Sequence, residues 1–173
     1  MGVTTVAART MVRPLVRDDR ETVRRIIEAT GSFVSDEVAT ALELIDEWLA
    51  EGARSEYLTF VIEEQTSSWA VVRGYVCYGP TPLTEGTFDL YWIAVDPASQ
   101  GRGYGQQLLA FAESDARRRG GRAMLIETSS QDSYQPTIRF YERAGYSLVA
   151  RIPEYYRPGD DKLIFRKGLV SRS

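Results

Sequence analysis

Histidine is absent from this 173-residue sequence. Its absence excludes Ser-His-Asp and Cys-His catalysis, HExxH zinc sites and every histidine-built metal cluster. Chemistry must fall to carboxylates, tyrosines, serines, threonines, backbone amides or a bound cofactor, and no metal is expected. Cysteine is nearly as scarce: Cys77 stands alone, so no intrachain disulfide can form and a reducing, cytoplasmic setting is expected. No apolar run approaches the roughly 18 residues of a membrane span. The opening MGVTTVAART has no apolar stretch of the secretory kind, and Val6 stands where a myristoylation motif needs Ser or Thr. A basic excess is missing too, since the net charge is -3, which leaves no electrostatic case for nucleic acid. Neither a repeat of fixed period nor a low-complexity tract occurs.

What is present is the balance of an ordinary globular chain, 43% apolar and 26% charged, with length enough for one core and too little for two. The expected organisation is a loose arm over residues 1–9, a single domain over 10–168 and a tail over 169–173. Thr10 to Val16 reads as a strand broken by Pro14. Asp18 and Glu21 resemble a capping box for a helix bearing Val23, Ile26 and Ile27, which Gly31 ends. A second helix spans Ser35 to Glu51, with Val38, Ala41, Leu42, Ile45, Trp48 and Leu49 at helical spacing. Two hairpin-linked strands follow, Tyr57 to Glu63 and Trp69 to Tyr78, then a buried strand from Phe88 to Val95 in which Asp89 is the polar exception. Beyond it come a helix from Gly103 to Arg119, a strand from Met124 to Thr128, a helix from Pro136 to Ala144, and strands Ser147 to Ile152 and Lys162 to Arg166 around a PEYYRPGDD turn.

The segment that carries chemistry is the strand, DPAS, then Gln100, Gly101, Arg102, Gly103, Tyr104 and Gly105, then the helix. Glycines at 101, 103 and 105 permit positive φ and close approach of a ligand, while the helix start offers unpaired N–H groups and the positive end of the dipole. Such a turn suits a pyrophosphate. Alone it is weak evidence, because dinucleotide folds and P-loops share it. However, no Lys-Ser/Thr pair follows Gly105, and the turn comes after several strands rather than the first, which disfavours both.

Q-x-x-G-x-G between a strand ending in Ala-Val-Asp-Pro and an amphipathic helix resembles the acetyl-CoA motif of the GNAT superfamily of N-acetyltransferases. Arg139-Phe140-Tyr141-Glu142-Arg143-Ala144-Gly145-Tyr146 resembles that family's second motif. The resemblance implies an α/β (α+β) fold, with a mixed, mostly antiparallel sheet of about seven strands flanked by four helices. It also implies acetyl-CoA as cosubstrate and acetyl transfer to a primary amine. Transferred residue by residue, the Val95 backbone would pair with the pantetheine arm and turn its N–H to the thioester oxygen. The amides of Gly101 to Gln106 would hold the pyrophosphate, with Arg102 as an added cation. Tyr141 would protonate the departing thiolate.

An amine of ordinary pKa needs a base to attack. Asp89 is the first candidate, because a carboxylate in an apolar strand should have a raised pKa; Glu127 and Glu85 are the alternatives. At Tyr134 many family members carry an asparagine, which puts the contact made there in doubt. Phe33, Trp48, Tyr155 and Tyr156 are candidate walls of an acceptor groove, and Glu85, Asp160 and Asp161 candidate attractors of a cationic acceptor. A small amine or amino-acid-like metabolite is the expected acceptor. The EYYRPGDDKLIF hairpin resembles that of enzymes acetylating protein N-termini, a second reading; a non-catalytic acyl-CoA sensor is a third. Exposed edge strands of such a fold admit a homodimer.

Overall fold

The computed structural model describes residues 9–170, so the expected arm before Arg9 and residues 171–173 of the expected tail lie outside the described residues. Seven strands form one sheet: β1 (Arg9–Pro14), β2 (Leu58–Gln65), β3 (Ala70–Pro80), β4 (Thr87–Val95), β5 (Ala123–Ser129), β6 (Ser147–Arg157) and β7 (Asp160–Gly168), in the order β1-β2-β3-β4-β5-β7-β6. Four helices accompany it, α1 (Arg20–Ala29), α2 (Ser35–Glu51), α3 (Tyr104–Arg118) and α4 (Gln135–Arg143). Every neighbouring pair is antiparallel except β4 with β5. This is the mixed, mostly antiparallel architecture expected from the sequence.

Helix starts follow local chemistry. Glu37 accepts the Val34 amide at 2.9 Å and opens α2, and Gly52, at φ 57, closes it. Before α1 the organising acid is Asp19 rather than the expected Asp18. Asp19 is buried, accepts the Val16 amide at 2.9 Å and takes the Arg13 guanidinium at 2.6 Å; Asp18 is exposed. The single turn of 3-10 helix over Arg17–Asp19 shifts the start by one residue.

Helix α3 lies against the sheet face that carries Phe60, Gly74 and Tyr78. Phe111 packs on Phe60 with ring centroids 4.6 Å apart, and the Tyr78 hydroxyl donates to Asp115 at 2.6 Å. Gly74 makes this approach possible, since a Cβ there would stand 2.6 Å from the Ala94 carbonyl and 3.2 Å from Leu108. Helix α1 packs on β3 and β4. Of the candidate groove walls, Trp48 is a core residue, its indole donating to the Leu15 carbonyl at 2.9 Å. Leu169 is buried and hydrogen-bonded through its amide to Arg122, which places it in the fold rather than the tail.

The feature that builds the site is a divergence. The β4–β5 ladder runs only from Thr87↔Ala123 to Leu90↔Ile126. Beyond it β4 follows β3 as far as Val95↔Gly74, while β5 follows β7 to Ser129↔Lys162. Tyr91 is the extra residue of a bulge, because the register passes from Cys77↔Trp92 to Tyr78↔Leu90. A bulge bends and twists its strand, and this one turns β4 away from β5 where the pairing stops.

Strand β6 reaches Arg157, five residues beyond its expected end, and the turn is only Pro158 and Gly159. Register passes from Ile152↔Lys162 to Arg157↔Asp160, so Pro153–Tyr156 loop out opposite Asp161.

Candidate active site

Two cavities meet along the diverging end of β4. The first, of about 620 Å³, is lined by Ile93–Val95, Gln100, Gly101, Gly103–Gln106 and the α4 residues Thr137, Phe140 and Tyr141, together with Thr30, Ser32, Ser99 and Ser133. The second, of about 560 Å³, lies between β4, the end of β5, the α1–α2 connection and the β6–β7 hairpin. Thr30, Ser32, Ile93, Ala94, Val95, Gln100, Thr137 and Tyr141 face both.

The backbone of β4 is oriented by its pairing. The Asp96 amide donates to the Arg73 carbonyl at 2.8 Å, toward β3. Successive strand amides point to opposite sides, so the N–H and C=O of Val95 and Ile93 point into the gap that β5 has left. A strand edge without a partner at this depth is a ready acceptor and donor for an extended ligand.

At the helix start, Gly101 and Gly103 hold φ of 76° and 82°, conformations favourable only to glycine. The Gln107 amide bonds the Gly103 carbonyl at 3.1 Å, which leaves the amides of Tyr104, Gly105 and Gln106 ahead of the first intrahelical bond. Gly105 differs from its expected role. Its φ is not positive, and a Cβ there would meet Phe140 at 3.4 Å and Val95 at 3.8 Å, ordinary van der Waals contacts that do not demand glycine.

Arg102 is placed elsewhere than expected. Its guanidinium turns to Glu64 at 2.5 Å and lies over the Tyr104 ring at 5.3 Å, and it does not line the cavity. Burial would raise the Glu64 pKa, but hydrogen bonds from Arg73, Tyr104 and Arg102 overcome it and hold the carboxyl below its ordinary value. Glu64 therefore stays charged and keeps Arg102. Among the described residues the first cavity has no charged side chain in its lining; what it offers an anion is the amides and dipole of a helix start.

Tyr141 is 4% exposed and forms the partition between the cavities. Burial pushes its hydroxyl pKa well above the ordinary tyrosine value, so the group stays protonated at neutral pH. Thr137, one helical turn earlier, shares its face; i,i+4 spacing from Tyr141 was the signal by which sequence could have found it.

The carboxylate candidates separate. Glu127 lines the second cavity, where Lys162 pairs with it at 2.5 Å. Burial raises the Asp89 pKa, opposed by a hydrogen bond from Thr81 at 2.7 Å and reinforced by Glu127, but Asp89 lines neither of the two cavities. Glu85 lies outside both as well, its carbonyl accepting Arg122 at 2.8 Å. Of the expected acceptor residues, Phe33 packs edge-on to Trp92 at 5.3 Å and lines the second cavity, as does Tyr156. Tyr155 turns outward onto Lys162 at 4.1 Å. Asp160 lines the cavity while accepting from Ser129 at 2.5 Å. Asp161 is not in the lining; its contacts hold the hairpin instead. The Tyr134 hydroxyl donates to the Ser32 carbonyl at 3.0 Å and ties the α1–α2 connection to the start of α4.

The pattern of the Acetyltransferase (GNAT) family matches residues 21–146. The chain belongs to this family. A crystal structure of a GNAT protein from Desulfovibrio desulfuricans is 45% identical, with a TM-score of 0.87, covering 94% of this chain and 100% of that one. An L-methionine sulfoximine/L-methionine sulfone acetyltransferase of Salmonella typhimurium is 32% identical over 101 residues, 57% of this chain and 55% of that protein. The chain spans about half the length of the curated relatives it matches. A Salmonella typhimurium structure with its cofactor acetyl-CoA shares the GNAT fold at 22% identity, with a TM-score of 0.70 and coverage of 95% and 96%. Among the described residues no helix is long and apolar enough to cross a membrane.

Proposed function

We propose that this chain transfers an acetyl group from acetyl-CoA to the primary amine of a small molecule by direct attack. The observation that carries the reading is the contrast between two cavities joined at Tyr141. One has no carboxylate and presents the free amides of a helix start, as a pyrophosphate requires; the other is lined, among the described residues, by three carboxylates, Glu37, Glu127 and Asp160, against the single cation Arg157, and by aromatic rings, which favours an ammonium. The named relatives acetylating methionine sulfoximine and S-(2-succino)cysteine support a small acceptor.

Acetyl-CoA supplies the activated thioester. The helix-start amides of Tyr104, Gly105 and Gln106 and the turn at Gly101 and Gly103 hold the diphosphate, and the β4 edge at Ile93 and Val95 takes the pantetheine. The Val95 N–H, aimed into the gap, stabilises the oxygen that gains charge when the amine nitrogen bonds to the carbonyl carbon. Glu127 takes the proton the nitrogen sheds. It has this role rather than Asp89 because it faces the acceptor cavity. As the carbon–sulfur bond breaks, Tyr141 gives its proton to the sulfur, and it recovers one from solvent.

Calorimetry with CoA and a thiol-release assay over a panel of amines test the reading. The protein's own thiol does not disturb the assay, since Cys77 is 0% exposed and burial pushes its pKa up to about 12. Glu127→Gln is expected to slow turnover by about 10²-fold or more, and Asp89→Asn by less than about threefold, the Thr81 contact being retained. Absence of CoA affinity overturns the reading. Binding without thiol release from any amine makes the chain a sensor.

A further inference from the structure

We propose that Asp161 is a positioning residue for the acceptor cleft, a staple that holds the looped-out segment Pro153–Tyr156 in the shape that presents Tyr156 and orders Glu127. The proposal rests on the second cavity being the acceptor site.

In the β6–β7 pair, four residues of β6 stand opposite Asp161 alone. The excess forces Glu154 to φ 50, a left-handed conformation that a residue with a Cβ adopts only under constraint. The main constraint is the Asp161 carboxylate, with a longer bond from the Gly159 amide to the Glu154 carboxylate at 3.3 Å beside it. One Asp161 oxygen accepts the Glu154 amide at 2.8 Å and the other accepts the Arg151 guanidinium. The backbone of Asp161 is clamped from the other side, its amide donating to the Ser130 hydroxyl at 2.8 Å and its carbonyl accepting the Ser130 amide at 3.0 Å. Asp161 is 8% exposed and held charged by the Glu154 amide and Arg151, which keep its carboxyl below the usual carboxylate range.

This arrangement reaches the cleft along two lines. The segment carries Tyr156 into the cavity wall. It also lays the Tyr155 ring on the Lys162 ammonium at 4.1 Å, and that ammonium pairs with Glu127 at 2.5 Å. Without the staple, Glu154 returns to an ordinary conformation, the four residues relax outward and both lines are lost. Asp161 and its hydrogen-bond partners Arg151, Glu154 and Ser130 lie outside the lining of the cavity proposed for the cofactor, so the effect falls on the acceptor.

The test uses the full chain, with Asp161→Ala, Asp161→Asn and the double variant Asp161→Ala with Glu154→Gly, in which glycine removes the cost of the left-handed backbone. Hydrogen exchange is followed at residues 153–156 and 127–130. Kinetics use acetyl-CoA with L-methionine sulfone, or with the fastest amine of the panel where the sulfone releases no thiol. In Asp161→Ala, exchange at both segments is expected to quicken about tenfold. KM for the amine is expected to rise about tenfold, with KM for acetyl-CoA unchanged within about twofold. The double variant is expected to recover most of the loss. Asp161→Asn keeps an oxygen for the Glu154 amide and gives up the charge on Arg151, so it falls between and carries the test should the alanine variant not fold. Unchanged exchange, a parallel rise in both KM values, or no recovery in the double variant overturns the proposal. A wild type without CoA affinity or turnover overturns the functional reading instead, and exchange then decides the staple.

Discussion

Replacing Tyr141 by phenylalanine removes one oxygen from a ring that otherwise keeps its contacts, with Phe140 at 5.4 Å and Tyr146 at 6.1 Å between centroids. The hydroxyl has burial as its sole influence and faces the junction of the cavities, so its loss strands no protein partner. Stability should therefore change by less than about 1 kcal/mol, the net worth of an ordinary hydrogen bond. Turnover is another matter: a positioned acid contributes about 10²–10⁴ in rate, equivalent to roughly 3–5 kcal/mol of barrier. The expected profile is a fall in kcat of that size with CoA affinity within about twofold of wild type. Because burial raises the hydroxyl pKa, wild-type activity should show no alkaline decline from this group below the ordinary tyrosine value of about 10. Thiol release, CoA calorimetry and thermal melting measure the three quantities. A kcat that falls less than about fivefold, with the melting temperature unchanged, refutes Tyr141 as the acid.

Gly103→Ala imposes a left-handed backbone on a residue with a Cβ and should weaken CoA binding about tenfold. Gly105→Ala, in ordinary helical conformation and 3.4 Å from Phe140, should weaken it far less; equal losses by calorimetry would contradict the conformational argument. Tyr78→Phe deprives buried Asp115 of a 2.6 Å donor but leaves Arg118 and Arg119, so urea unfolding should show a loss of about 1–2 kcal/mol. Burial raises the Asp89 pKa, and a carboxyl raised in the folded state contributes stability below its unfolded value and loses it as pH rises through the folded one. Asp89→Asn should accordingly be more stable than wild type at pH 7 by urea midpoint and lose that margin near pH 3; a less stable variant at neutrality contradicts the sign.

What the sequence disclosed is what neighbouring residues decide among themselves. Ser35 to Glu51 was readable from apolar spacing and Gly52, and Gly101 and Gly103 announced a left-handed turn before a helix. What escaped is decided across the sheet. The gap between β4 and β5 depends on where a ladder stops, which no residue of either strand declares. Arg102 read as a cation for phosphate because its partner, Glu64, lies on a distant strand. Trp48 read as a possible wall because its acceptor is the carbonyl of Leu15. The end of β6 was misplaced because the pair Pro153 and Glu154 spells a turn locally, while Asp161 keeps the chain extended on both sides of it.

Strand β6 ends the sheet, and its outer row of amides and carbonyls has no neighbour among the described residues. Such a border invites another chain to add itself. Here the border is interrupted: Pro153 offers no donor, and Glu154 takes a left-handed backbone at φ 50. The register also slips at Val149, between Leu148 and Ala150, so a second chain meets only short regular stretches of this border, and the irregularities limit how readily molecules of this protein fuse into a continuous ribbon.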